Sequence, residues 1–254
     1  MNIRRLGTGW GECKIKKKFS KDFRGKGGVI VDERILIDAP EDIFNIAAGL
    51  GFTDAFNEIS SVIISHSHRG HFSPEAILTL SKFRRITLYA TESVLEQIPD
   101  TPRIERVEIM PFFPFNIGVY RVIPLPANHE TENFDEDCLN FIISADKTLF
   151  YALDGGFLNY AAWRAISEYK LDAVILDSAL ADSPATPALM YHGSLDTLST
   201  VKNIMLSGGA ANDKTKFILS HIPSDKKREM HEELSEKAAE LGMTVAYDGY
   251  FTSI

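Results

Sequence analysis

"SVIISHSHRGHF", residues 61–72, sets an apolar run of strand length directly against three histidines in six positions. The whole chain of 254 residues holds only seven histidines, so the crowding at His66, His68 and His71 asks for a chemical reason. On an extended segment side chains repeat every two residues. His66 and His68 therefore face one side, while His71 comes round as the chain turns toward the next helix. Such a loop can wrap one or two cations. Neutral imidazole is a common ligand for zinc and other transition metals, and a catalytic site usually takes three protein ligands and leaves a position for water.

The other histidines extend the pattern. His129 in "VIPLPANHE" and His221 in "FILSHIP" each follow an apolar strand, as does Asp154 in "LFYALDGG"; His192 in "MYHGSLD" stands in a loop just before a helix. Strand ends gathered on one sheet edge are where loops on a rigid scaffold converge on a ligand. Only His231 falls inside a charged helical pattern, where a solvent-facing position is expected. A single histidine at a strand end reads as a hydrogen-bonded structural residue. The cluster reads otherwise, because so many polar groups are costly to bury without a cation to organise them.

Around these residues strand and helix signals alternate. "GGVIVDERILIDAP" (27–40) reads as two strands about a turn at 32–34, "EDIFNIAAGLG" (41–51) as a helix closed by glycine, and "SPEAILTLSKF" (73–83) as a helix with Ser73 as N-cap and Pro74 at its first position. From 105 to 153 the helical signal disappears into consecutive strands, with a turn at Asp146–Lys147 making the last two a hairpin. Helix and strand then alternate again through helices at 158–169, 195–207 and 225–242, ending on "TVAYDGYF" (244–251), read as one strand. No stretch is rich enough in Pro, Gly or Ser to act as a linker, so residues 1–254 are expected to form a single domain of sheets packed on each other with helices outside.

Composition narrows the partners. A net charge of −8 lacks the clustered Lys and Arg that phosphate neutralisation needs, which argues against nucleic acid. "KIKKKFSKDFRGK" (14–26) is the local exception, read as a solvated loop or edge strand, with a lip attracting a phosphorylated substrate as the sharper alternative. No apolar stretch approaches the roughly 20 residues that cross a bilayer, and the start lacks a signal-peptide core; no membrane association and a cytoplasmic location are expected. Cys13 and Cys138 read as reduced thiols. "PFFPF" (111–115) reads as a core-edge cluster, with a substrate or homodimer surface as the alternative, and "LSGGAAND" (206–213) as a helix C-cap and turn.

The order His66, His68, His71, His129, Asp154, His221 resembles the metallo-β-lactamase fold superfamily, whose signature is His-x-His-x-Asp-His after a strand, then a distant His, Asp and His. Within it, "LGTGWGEC", "LPANH", "LDSA…YHGSLDTL" and "ILSHIPS…VAYDGY" look like the PhnP-type phosphodiesterases related to tRNase Z. The resemblance implies an α/β fold, a four-layer αββα sandwich. It implies a first metal site of His66, His68, His129 and Asp154, and a second of His71, His221 and the shared Asp154. His192 and Asp154 are implied as catalytic residues, His192 approaching the phosphate, and Asp38 in "LIDAP" as a support for the histidine loop.

One departure bears on the metal count. Gly70 stands where the signature has aspartate, so either the backbone there needs positive φ or a ligand has been lost and replaced by water or by a carboxylate such as Glu130 or Asp177. Zinc or manganese is expected, one or two ions per chain, the second held more weakly. The leading expectation is a metal-dependent hydrolase of a small nucleotide-like or cyclic phosphodiester, with Arg69 either pairing with phosphate or merely an exposed loop charge. The alternatives are hydrolysis of a carboxylic ester, thioester or lactam on the same site, and a catalytically degenerate metal- or nucleotide-binding protein.

Overall fold

The computed structural model describes residues 1–10, 20–183, 186–223 and 231–254. Cys13, residues 14–19 of the basic run at 14–26 and the start of the expected helix at 225–242 lie outside them. The chain forms two compact units, the first of Met1–Met110, Thr131–Asp137 and Tyr247–Ser253, the second of Pro111–Glu130, Cys138–Ala246 and Ile254.

In the first unit the elements are β1 (Asn2–Arg5), β2 (Gly9–Trp10), β3 (Val29–Val31), β4 (Ile35–Ile37), α1 (Ile43–Gly49), β5 (Ser61–Ile63), α2 (Pro74–Phe83), β6 (Ile86–Ala90), α3 (Glu92–Leu95) and β7 (Ile104–Glu108). β3 and β4 form the expected hairpin, with Asp32 and Glu33 at φ 45° and 60°. Two successive residues at positive φ give the turn whose twist matches that of its strands. From β4 to β7 each strand pairs in parallel with the next, because a helix carries the chain back between them. Leu36, Val62, Ile64 and Leu88 of the sheet pack against Ile43, Ala47, Ala76, Ile77 and Leu80 of α1 and α2. Each buried Leu, Ile or Val among them contributes about 1.5–3 kcal/mol.

The second unit contains β8 (Phe115–Ile117), β9 (Tyr120–Pro126), β10 (Leu139–Ser144), β11 (Thr148–Ala152), α4 (Tyr160–Ile166), β12 (Ala173–Asp177), a 3₁₀ turn (Pro187–Met190), α5 (Leu195–Ser207), β13 (Lys216–Ser220), β14 (Ile222–Pro223), α6 (His231–Glu240) and β15 (Thr244–Val245). Its seven-stranded sheet runs β15-β13-β12-β11-β10-β9-β8. The hairpin at Asp146–Lys147 joins β10 to β11, and β11, β12, β13 and β15 are parallel neighbours linked through helices.

Two expectations are corrected here. Residues 244–251 are not one strand: β15 ends at Val245, Gly249 turns the chain at φ 86°, and β16 (Phe251–Ser253) pairs with β1 as the edge of the first sheet, ordered β16-β1-β3-β4-β5-β6-β7. Alternating hydrophobicity runs through both pieces and hides the break, which Gly249 alone signals. His231 is buried rather than solvent-facing, its Nε2 3.3 Å from the Ser235 hydroxyl on α6.

Candidate metal centre

β4 and β5 are parallel neighbours, so their C-terminal ends are level, and the residues that follow them meet. Asp38, just past β4, takes φ 63° and turns its carboxylate toward the segment after β5. Its Oδ1 accepts from the Ser65 amide at 2.9 Å, and its Oδ2 lies 2.8 Å from His71 Nδ1. A carboxylate on Nδ1 fixes the ring's orientation and commits Nε2 as the coordinating nitrogen. His71 itself is placed by a turn in which the amides of His71 and Phe72 both donate to the His68 carbonyl, and Ser73 then caps α2 by accepting from Ala76.

Within this loop His66 Nε2 lies 3.1 Å from His68 Nδ1, and the rings of His66 and His71 are 4.3 Å apart. The glycine question is resolved locally. Gly70 is not at positive φ, and a Cβ built on it meets nothing within 4 Å. The backbone does not require glycine, so the position is open to the aspartate that the signature would place there.

Beside His68 lies a cavity of about 810 Å³ whose lining includes Glu41, Arg69, Phe72, Glu75 and Glu132. The Glu75 carboxyl, at the start of α2, is held below its usual range by its own backbone amide and by the Ser73 hydroxyl. Three carboxylates against one guanidinium make this an acidic cavity.

The second unit builds its cluster by the same rule. β11, β12 and β13 end side by side, and their ends carry Asp154, Asp177 and His221; β9, two strands along, ends shortly before His129. Open parallel sheets place ligands outside the carboxyl ends of their strands. Asp154 (φ 49°) and His221 (φ 57°) both take the left-handed conformation, which costs a non-glycine residue on the order of 1–3 kcal/mol and collects at functional sites. Around the buried Asp154 Oδ1 stand His221 Nε2 at 3.0 Å, His129 Nε2 at 3.6 Å and His192 Nδ1 at 3.8 Å. A buried carboxylate oxygen with imidazole nitrogens around it could hold a divalent ion: imidazole suits zinc and other transition ions, carboxylate suits manganese and magnesium, and both bind zinc. The residues fit a divalent ion.

His192 differs from its neighbours. Its Nδ1 sits 2.7 Å from Asp177 Oδ2, and the other oxygen of Asp177 accepts from the Ala179 amide at 2.7 Å. Asp177, read from sequence only as a stand-in for the missing motif aspartate, is instead the partner of His192. The signal was present in the chain: "VILD" ends a strand as "LFYALD" and "FILSH" do. Gly193 is tied to this arrangement, since a Cβ there would lie 2.4 Å from the Asp177 carbonyl. Glu136, which accepts from the Ser67 amide, carried no sequence signal at all.

A family model described as a beta-lactamase superfamily domain matches residues 33–234. Among solved structures, the chain is similar to the metallo-beta-lactamase fold protein YhfI from Bacillus subtilis, with TM-score 0.74, 15% identity, and coverage of 99% of this chain and 98% of that one. It is similar to Zn(2+)-bound PqqB from Methylobacterium extorquens at TM-score 0.71, 18% identity and full coverage of both chains. For the short form of human tRNase Z the values are 0.69 and 15%, over 100% of this chain and 99% of that one. An octanoyltransferase from Porphyromonas gingivalis is 26% identical over 133 residues, 46% of this chain, and the match spans only 26% of that relative. Two large sheets with their helices match the α/β sandwich of the metallo-β-lactamase type expected from the sequence. The chain belongs to the beta-lactamase superfamily, whose members are mostly metal-dependent hydrolases.

Proposed function

We propose that this protein is a metal-dependent hydrolase of a small phosphodiester, nucleotide-like or cyclic, with His66, His68, His71, His129, Asp154 and His221 as metal ligands and His192 as the proton-handling residue. The observation that carries the reading is the buried His192–Asp177 pair beside the Asp154 cluster. With Asp177 accepting at Nδ1, His192 keeps Nε2 as the nitrogen that can take up and release a proton. Once charged there, it can deliver a proton to an alkoxide leaving group, the task general acid catalysis asks of an imidazole near neutral pH. Asp177 stabilises the charged ring and prevents the wrong tautomer. A divalent ion, zinc or manganese, supplies Lewis acidity to a phosphoryl oxygen and acidity to water.

Phosphate is favoured by the sequence likeness to the phosphodiesterase group and by the fold likeness to a tRNase Z. A small substrate, rather than tRNA, is favoured by the net charge of −8 and by the carboxylates of Glu41, Glu75 and Glu132 beside His68. A polyanion would meet repulsion there. No helix among the described residues is long and apolar enough to cross a membrane, and a cytoplasmic location is part of the proposal.

The test is hydrolysis of bis-p-nitrophenyl phosphate by chelator-treated protein resupplied with zinc or manganese. The expected result is turnover that depends on the ion, with His192→Ala losing most of the rate and retaining its metal. Metal binding without turnover on this diester, on p-nitrophenyl esters, or on any thioester or lactam tried would instead assign the chain a binding role.

A further inference from the structure

Ser67 stands between two proposed ligands, in the bend that follows β5, and there it meets Glu136. The Ser67 amide donates to Glu136 Oε1 at 2.6 Å, and the Ser67 hydroxyl donates to Oε2 at 2.5 Å. Glu136 is buried, and the Thr131 hydroxyl lies 3.2 Å from its Oε2. The turn that presents it is closed by its own amide donating to the Asn133 carbonyl at 3.0 Å. Both contacts are in the short range of charge-assisted hydrogen bonds, about twice as strong as neutral ones. A buried carboxylate spent on one residue of a loop needs a reason, because its desolvation is expensive.

We propose that Glu136 is a positioning residue: its two-pronged grip on Ser67 fixes the backbone that carries His66 and His68, so that both imidazoles are ordered before a divalent ion arrives. The residues gripped and the residues ordered are adjacent, leaving little slack between cause and effect. His66 Nε2 and His68 Nδ1 are held 3.1 Å apart, within reach of a common ion. Ordering the ligands during folding removes that entropic cost from the binding step. The run from 129 to 136 begins on another proposed ligand, His129, so the grip also anchors the chain just downstream of it. This inference rests on His66 and His68 being ligands.

The experiment measures zinc affinity of the full chain by competition with a chelating dye, and records the visible absorption of the cobalt-substituted protein. Outer partners of metal ligands change affinity by about 10–100-fold, and a loss in that range is expected for Glu136→Ala. Ser67→Ala, which keeps the amide contact, should lose less, and Glu136→Gln should recover part of the affinity through its carbonyl oxygen. The cobalt band should change in Glu136→Ala, a response that a purely structural role would not produce. If Glu136→Ala does not fold, Ser67→Ala decides by the same two readings. If His66→Ala binds zinc as the wild type does, the ligand assignment fails and takes the inference with it. If His66→Ala loses zinc while Glu136→Ala and Ser67→Ala keep wild-type affinity and cobalt spectra, the inference alone is overturned.

Discussion

Asp38, Asp154 and His221 share an unusual property: each takes a left-handed backbone conformation immediately after or close to a strand end. Such a conformation costs a non-glycine residue on the order of 1–3 kcal/mol and persists where the surrounding structure holds it, as the contacts of Asp38 with Ser65 and His71 do. At this scale Asp177 is the most exposed to test. In Asp177→Asn the side-chain carbonyl can keep the Ala179 amide, but the amide group then faces His192 Nδ1 and forces the other tautomer. The corresponding exchange in a Ser-His-Asp triad costs about 10⁴-fold in turnover. A loss of that order in kcat, with zinc content unchanged, is expected; near-normal kcat would remove His192 from the proton path. Gly70 gives the opposite kind of test. Gly70→Asp should fold normally, since the added atoms meet open space, and should raise the metal content or tighten the weaker ion, read by titration with manganese.

At the scale of elements, the end of the chain is tied to its beginning. After β15, Asp248 accepts from the Thr8 amide at 2.8 Å, the Thr8 hydroxyl at 2.7 Å and the Gly25 amide at 2.6 Å. Arg24 donates to the Thr8 hydroxyl at 3.1 Å. Burial pushes the Asp248 carboxyl up to about 6, against the opposing pull of those hydrogen bonds and of Arg24. Burial likewise lowers the Arg24 guanidinium to about 10. A carboxyl raised on folding stabilises most when protonated: its contribution is full below 3.8 and is lost as pH rises through about 6. Between pH 4 and 7 this group should therefore remove stability, by on the order of 3 kcal/mol at most. Urea midpoints for the wild type should fall across that window more steeply than those for Asp248→Asn, and parallel profiles would contradict the assignment. None of this could be read from "VAYDGY", because the partners of Asp248 lie 240 and 223 residues away and leave no local period. The helices and strands were legible where one period held over a whole element, as in α2 with Ser73 and Pro74 at its start. The pattern failed at Gly249, where two strands of different sheets share one alternation.

For the whole molecule, the proposed ligands were legible because metal chemistry restricts residue types so severely: histidine and aspartate at strand ends stand out against apolar runs. Of their supports, Asp38 was named by the resemblance and contacts His71, whereas others were not legible. Ser67 and Glu136 are 69 residues apart and Asp177 and His192 are 15 apart, and neither pair obeys any spacing rule. The proposal of a small substrate draws on the acidic balance and on the carboxylates lining the cavity beside His68. Activity on a small diester should accordingly exceed that on a tRNA transcript at equal phosphodiester concentration and low salt. The proposed chemistry requires a bound divalent ion, which elemental mass spectrometry tests most directly. After loading with zinc and removal of free ion, the protein is predicted to retain one to two zinc ions per chain, and the Asp154→Ala variant fewer; a wild-type chain retaining none would contradict the account.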